Sequence, residues 1–316
     1  MFRSSRCKSN FAMSAKRIVI AGGSGFIGTA LAQEFAGRGN EVIVLTRRSR
    51  ARRDRVREVV WDGEHPGEWR QFLDGADAVV NLTGKNINCP HTPENLREII
   101  ASRVNSVNAI AAALGKVERP PRVWVQASAT GFYGDTGDTA CDESASAGNN
   151  TLAEICRQWE AACAAANVPQ TRKVTLRIGF VLGRAGGALP VLSKLTKCFL
   201  GGAVGNGRQY ISWIHLADLV KMFVAAIENE KLSGVFNAVA PNAVTNAEFM
   251  RALRRVLDRP WSPPAPVFAV KIGSRLLGSE ASLALVSQRC APKKFLEAGF
   301  QFQFVELATA LDDLCR

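Results

Sequence analysis

From residue 17 onward, short apolar runs alternate with stretches of helical spacing. Arg17–Ala21 (RIVIA) is rich in β-branched residues and ends at a pair of glycines, which predicts a buried strand. Phe26–Gly37 has the spacing of a helix, Glu41–Thr46 (EVIVLT) predicts a second strand, and Arg57–Trp61 a weaker third. Ala76–Leu82 and Val123–Ala127 read as the fourth and fifth strands, with a long helix over Pro93–Leu114 between them. A helix over Leu152–Ala166 and a sixth strand over Lys173–Val181 complete the alternation. Such a series predicts an α/β fold: a Rossmann-type, doubly wound parallel sheet.

Past that point the pattern loosens. Leu182–Gly207 holds seven of the 27 glycines and reads as loop around a short helix. Ile211–Ile214 and Val235–Val239 are strand-like and are expected to complete the sheet, with a helix from His215 to about Asn229 between them. Asn242–Leu257 contains a helix that Thr245 would cap ahead of Glu248. Proline-rich 260–266 ends it, and an amphipathic stretch follows over Val267–Val286. A helix over Lys294–Ala298 stops at Gly299, and Val305–Leu314 is helical again. The division expected is a leader (1–15), a dinucleotide-binding domain (16–183), and a smaller C-terminal substrate-binding cap (184–210 and 241–316).

Composition narrows the class. The 316 residues are 47% hydrophobic and 22% charged, as in an ordinary folded domain. No run of 18 apolar residues occurs, so no membrane partner is expected. Eight cysteines form no CxxC pair, no metal site is expected, and Cys156 and Cys163 read as buried thiols of a reducing compartment. The net charge of +12 is concentrated locally: seven arginines lie between Arg47 and Arg57, and five cations in the first seventeen residues. The acid-free leader resembles a mitochondrial transit segment; a cytoplasmic protein with an inert tail is the alternative. The arginine run past Arg48 reads as a solvated loop. It lacks the interleaved aromatics of a nucleic-acid surface, so RNA association is the least favoured reading.

The strongest signal is Ala21-Gly22-Gly23-Ser24-Gly25-Phe26-Ile27-Gly28, between a predicted strand and a predicted helix. The first glycines permit a tight turn, Gly25 leaves room for a pyrophosphate to approach the backbone, and Gly28 lets the helix pack closely. The helix start then offers N–H groups and a positive dipole end to the phosphates. At the end of the second strand stand Thr46, Arg47 and Arg48, where an NAD-preferring site has an acid. A guanidinium there suits a ribose 2′-phosphate, which makes NADP(H) the expected cofactor.

The chain is similar to the extended and atypical short-chain dehydrogenase/reductases, most to the NAD-dependent epimerase/dehydratase family in a YfcH-like branch. The matching segments are AGGSGFIG (21–28), NLTG (81–84), SATGFYG (128–134), LRIGFVLG (176–183), the stretch from Gly205 to Leu219, and FNAVAPNAVTNA (236–247). By this resemblance Thr46 and Arg47 take the 2′-phosphate end, and Leu82 and Thr83 lie along the adenosine or pyrophosphate. Glu98 and Arg103 face the cofactor, Val181 approaches the nicotinamide, and Arg208 meets a substrate phosphate or carboxylate. Without the resemblance, Glu98 and Arg103 read as a surface pair, and Leu82 and Val181 as core.

Reductases of this superfamily use a Tyr-x-x-x-Lys pair to exchange a proton with the substrate. Neither Tyr133 nor Tyr210 has a lysine four residues on, and the helix that should carry the pair has none. Ser128, Thr130 and Tyr133, just past the fifth strand, are the remaining catalytic candidates. The alternative is a tight turn whose hydroxyls bond backbone. His215, in WIHLAD, reads as mainly structural and only secondarily as a base. Two functions stay open: an NADP-dependent oxidoreductase or epimerase-like enzyme with a non-standard active site and a small-molecule substrate, and an NADP(H)-binding sensor or scaffold without turnover. A homodimer is compatible with either.

Overall fold

The computed structural model describes residues 15–49, 56–276 and 278–316. Nearly all of the leader and Arg50–Arg55 of the arginine run lie outside the described residues. The end of the run differs from a solvated loop: Arg57 sits in the third strand, with its guanidinium 4.6 Å from the centre of the Phe72 ring.

Seven parallel strands form the central sheet: β1 (Arg17–Ala21), β2 (Glu41–Thr46), β3 (Val56–Val60), β4 (Ala78–Asn81), β5 (Val123–Ala129), β6 (Arg172–Ile178) and β7 (Gly234–Ala238). Their order is β7-β6-β5-β4-β1-β2-β3. Pairing is in register from Arg17 opposite Glu41 and from Ile18 opposite Ala78, so all strands end on one edge. Helices α1 (Phe26–Gly37), α2 (Pro93–Leu114) and α3 (Thr151–Ala165) link successive strands. The core is continuous beneath them: Ile18, Ile20, Leu31, Phe35, Ile43, Leu45 and Trp124 are fully enclosed. Strand order reverses between β1 and β4, and that switch point is where such sheets bind ligands.

One predicted strand proves to be two. The run read as 173–181 breaks at Gly179, where a Cβ would stand 2.2 Å from the Ser212 carbonyl oxygen. Beyond the break Phe180–Leu182 leaves the sheet and pairs with Trp213–His215. Only one of the two expected late strands, at 234–238, therefore completes the sheet; the other belongs to this separate pair.

The rest comprises α4 (Leu189–Lys197), α5 (Leu216–Glu228), α6 (Asn246–Val256), α7 (Val267–Leu276), α8 (Lys293–Glu297) and α9 (Leu307–Cys315). Thr245 caps α6 in a full capping box with Glu248. A second core of Leu182, Trp213, Phe249, Leu253 and Leu311 joins α6 and α9 to the short strand pair. Among the described residues no helix is long and apolar enough to cross a membrane.

Candidate functional site

The glycine turn sits between the ends of β1, β2 and β4. Gly22 takes φ +74°, and its N–H donates to the Leu45 carbonyl at 3.0 Å. A Cβ on Gly28 would lie 2.5 Å from Gly23 Cα, so that position serves close packing. At Gly25 the nearest atom to a Cβ would be Gly22 O at 3.4 Å, which leaves the space above it open. Gly25 and Ser24 are exposed, and α1 begins without a side-chain cap or an acidic first turn. Its first N–H groups and the positive end of its dipole therefore have no cap and no acidic side chain in the helix's own first turn to neutralise them.

The other expected contacts border this opening. Ser24 Oγ and Thr46 Oγ1 are 3.0 Å apart, and Arg47 and Arg48 follow, exposed, at the end of β2. On the β4 side the Leu82 carbonyl carbon is 3.0 Å from where a Gly22 Cβ would be. Thr83 Oγ1 beside it is buried and has no hydrogen-bond partner. A buried orphan hydroxyl beside this glycine turn is one a polar ligand would satisfy. The residues present thus fit a dinucleotide.

Glu98 and Arg103 do not pair with each other. Arg103 is buried and donates to the Lys85 and Ile99 carbonyls at 3.0 Å each, with its guanidinium 4.9 Å from the Trp159 ring centre. Burial pulls its pKa down from the usual arginine value. It holds the 84–85 loop from below, while exposed Glu98 pairs with Lys85. Ile27 packs against the main core. Phe26 lies under a strap of residues 183–187: Cβ atoms at Gly183 and Gly186 would each come within 2.5 Å of its ring. Val181 enters that strap, its carbonyl 3.0 Å from a Cβ at Gly187.

The three catalytic candidates face inward, and their hydroxyls bond side chains rather than backbone. Ser128 Oγ donates to Glu160 Oε1 at 2.6 Å, and Thr130 Oγ1 to Gln288 Oε1 at 2.7 Å. Tyr133 donates its phenol to Asn237 Oδ1 at 2.7 Å and accepts from Arg177 Nη1 at 2.9 Å. Arg177 grips Glu160 with two bonds, of 2.9 and 2.8 Å, and its guanidinium lies 3.4 Å from the centre of the Phe132 ring. Burial opposes the Arg177 charge, but the Glu160 carboxylate more than offsets it and holds the guanidinium above its ordinary value. Burial also pushes the Tyr133 phenol up to about 12, against the pull of Arg177. The proton therefore stays on Tyr133 at neutral pH.

Glu160, Arg177, Asn237 and Gln288 were not among the sequence candidates. One signal was present for Arg177: a charge inside the apolar strand TLRIG has to find a buried partner. His215 does not reach this cluster. Its Nδ1 accepts from the Ala217 N–H at 3.1 Å, its ring stacks 3.8 Å from that of Phe304, and its Nε2 is 3.3 Å from the Asp313 carboxylate. Asp218 accepts from the Gln303 and Phe304 N–H groups at 2.8 Å each. The WIHLAD segment is thus a clamp on the C-terminal segment.

Arg208 lies in an open cleft of about 360 Å³, lined from 204–209, 267–287 and the loop after β5 and by none of the glycine-turn residues. Asp135, Asp138, Asn206, Gln209 and Val267 share its walls.

Comparison with known proteins extends this picture. The NAD dependent epimerase/dehydratase family matches residues 18–238, and a domain of unknown function, DUF1731, matches 265–314. Epimerase family protein SDR39U1 of Mus musculus is 35% identical over 305 residues, covering 94% of this chain and 99% of that protein. A chloroplastic SDR39U1 homologue of Arabidopsis thaliana is 35% identical over 307 residues, covering 94% and 86%. The crystal structure of human SDR39U1 with NADPH aligns with a TM-score of 0.84 at 33% identity, covering 94% of this chain and 98% of that one. Matched across the whole parallel sheet and its glycine turn, the chain belongs to the NAD dependent epimerase/dehydratase family.

Proposed function

We propose that the protein is an NADP(H)-dependent oxidoreductase whose small-molecule substrate lies between the sheet edge and the cap formed by residues 184–210 and 241–316. The observation that carries this reading is the uncapped start of α1 at the β1/β4 switch point, with orphan Thr83 Oγ1 on one side and Arg47 on the other. Gly22 to Gly28 would hold the pyrophosphate through backbone N–H groups, and Arg47, with Arg48 and Thr46, the 2′-phosphate. The human relative's structure with NADPH supports the same choice of cofactor. When bound, the nicotinamide supplies hydride exchange with the substrate. Ser128, Thr130 and Tyr133 would line the nicotinamide end as the catalytic candidates, Tyr133 as proton donor, and Arg208 would bind an anionic group of the substrate. The acid-free leader supports an organellar address, for which fluorescence of a leader fusion is the test.

A second reading, a cofactor-binding sensor without turnover, is favoured by one observation. Tyr133, the proton donor at hand, is committed to Asn237 and Arg177. Calorimetric titration tests the shared cofactor claim: NADPH should bind roughly tenfold or more tightly than NADH, as expected for added charge-assisted hydrogen bonds. Arg47→Ala should erase the preference, and equal affinities in the unaltered protein would refute it. Oxidation of NADPH with a panel of carbonyl compounds, lost in Tyr133→Phe, supports the enzyme. Tight binding with no oxidation across the panel supports the sensor.

A further inference from the structure

We propose that the cap docks on the surface of an anionic lipid bilayer through the outer face of α7, together with Trp261 and the Phe199–Leu200 turn. None of the described residues of α7 is buried. Its Phe268, Ile272 and Leu276 recur every four residues, along one stripe, and are 66%, 57% and 82% exposed. A second apolar strip adjoins this helix. The Ala265 N–H donates to the Ala203 carbonyl at 2.7 Å, and the Gly205 N–H to the Ala265 carbonyl at 2.9 Å. Gly202 packs against Pro263, so residues 199–205 run beside 259–267. That register sets Leu200, 66% exposed, next to Trp261, 74% exposed. Phe199 takes φ +63°, a region that bulky residues rarely adopt, and its ring is still mostly in solvent. Six bulky apolar side chains, Phe199, Leu200, Trp261, Phe268, Ile272 and Leu276, are thus exposed on two neighbouring segments, more than scattered single residues.

Charge selects the occupant. No Asp or Glu occurs between Glu160 and Asp218, or between Asp258 and Glu280, the two stretches that build this surface. Lys194, Lys197, Lys271 and Arg275 stand exposed there. Phe, Trp and Leu side chains among Lys and Arg, in two stretches that contribute no carboxylate of their own, match the chemistry of a face that lies in the headgroup layer of anionic lipids. A second copy related by a two-fold axis would bring the same cations face to face with no acid between them. The lack of a long apolar run, which argued against a membrane partner, bears on spanning helices and not on a surface of this kind. The Arg208 cleft adjoins this surface at Val267, on a side where its walls also carry Asp135 and Asp138.

The protein carries its own reporter. Trp61, Trp69, Trp124, Trp159 and Trp213 are buried, and Trp261 is the remaining tryptophan. The full chain should sediment with phosphatidylcholine vesicles containing a third phosphatidylglycerol, and at least tenfold less with pure phosphatidylcholine. Brominated phosphatidylglycerol should quench the fluorescence of Trp261, and Trp261→Phe should lose that quenching while still sedimenting. Phe268→Ser/Ile272→Ser/Leu276→Ser, which alters only exposed side chains, should reduce sedimentation at least tenfold with an unchanged melting temperature. Sedimentation that survives the triple substitution would mean that the basic leader or the arginine run binds instead, and would overturn the proposal. So would absence of vesicle binding with self-association abolished by the same triple substitution, which would identify a second copy as the occupant.

Discussion

Replacing Glu160 by Gln takes the carboxylate away from Arg177 while nearly preserving shape. The two side chains are 13% and 6% exposed, and the carboxylate also accepts from Ser128. Removing one partner of a buried ion pair leaves the other charge uncompensated and costs about 3–5 kcal/mol. The amide oxygen of Gln still accepts one hydrogen bond, so the lower end, about 3 kcal/mol, is expected. At roughly 2 °C per kcal/mol for a long chain, the melting temperature should fall by about 6 °C. Because the pair is enclosed, the drop should be nearly the same in low salt and in molar salt. Urea unfolding of Glu160→Gln, Arg177→Met and the double variant closes the cycle. The double variant should be less destabilised than the sum of the singles by at least about 2 kcal/mol. A loss below about 1 kcal/mol for Glu160→Gln, or strict additivity, would refute the reading of this pair as a buried, coupled unit.

Two glycines of the turn, three positions apart, should separate folding from binding. Gly25→Ala should keep stability to within about 1 kcal/mol, since its Cβ meets only Gly22 O at 3.4 Å, yet weaken NADPH binding about tenfold or more in calorimetry. Gly28→Ala should destabilise by about 1–3 kcal/mol through its 2.5 Å approach to Gly23 Cα; equal melting temperatures for the two variants would contradict this assignment. Burial raises the Tyr133 phenol to about 12, whereas the unfolded chain titrates near the ordinary value of 10.0. Its contribution to stability is therefore whole below pH 10 and is lost as pH rises toward 12. Tyr133→Phe should flatten that alkaline limb in unfolding titrations. Burial likewise lifts the Cys156, Cys163 and Cys290 thiols to about 12, 11 and 12. Peptide mapping after iodoacetamide at neutral pH should find exposed Cys198 modified well before these three.

Much of the fold was legible where local chemistry dictates it. The helix at 93–114 has the bounds its periodicity predicts, with Thr92 as N-cap and Pro93 in the first turn. Thr245 and Glu248 form the capping box expected of that spacing. The glycine turn was readable because each role, tight turn, open approach or close packing, calls for a bare α-carbon. Less legible was the break in the sixth strand: Gly179 looks like any strand glycine until the Ser212 carbonyl is seen to occupy the space of its missing side chain.

By itself, then, the sequence determined the parallel sheet, the glycine turn ahead of α1 and the place of the arginine past β2, because helix and strand periods, caps and glycine conformations depend on near neighbours in the chain. Only the tertiary structure decided what the polar groups do. Arg177 meets Glu160 across 17 positions, Tyr133 meets Asn237 across 104, and Thr130 meets Gln288 across 158. Such partnerships arise when strands and the C-terminal segment close over one buried volume. Within it each charge and hydroxyl must find a partner wherever the fold brings one, at separations that no local pattern encodes.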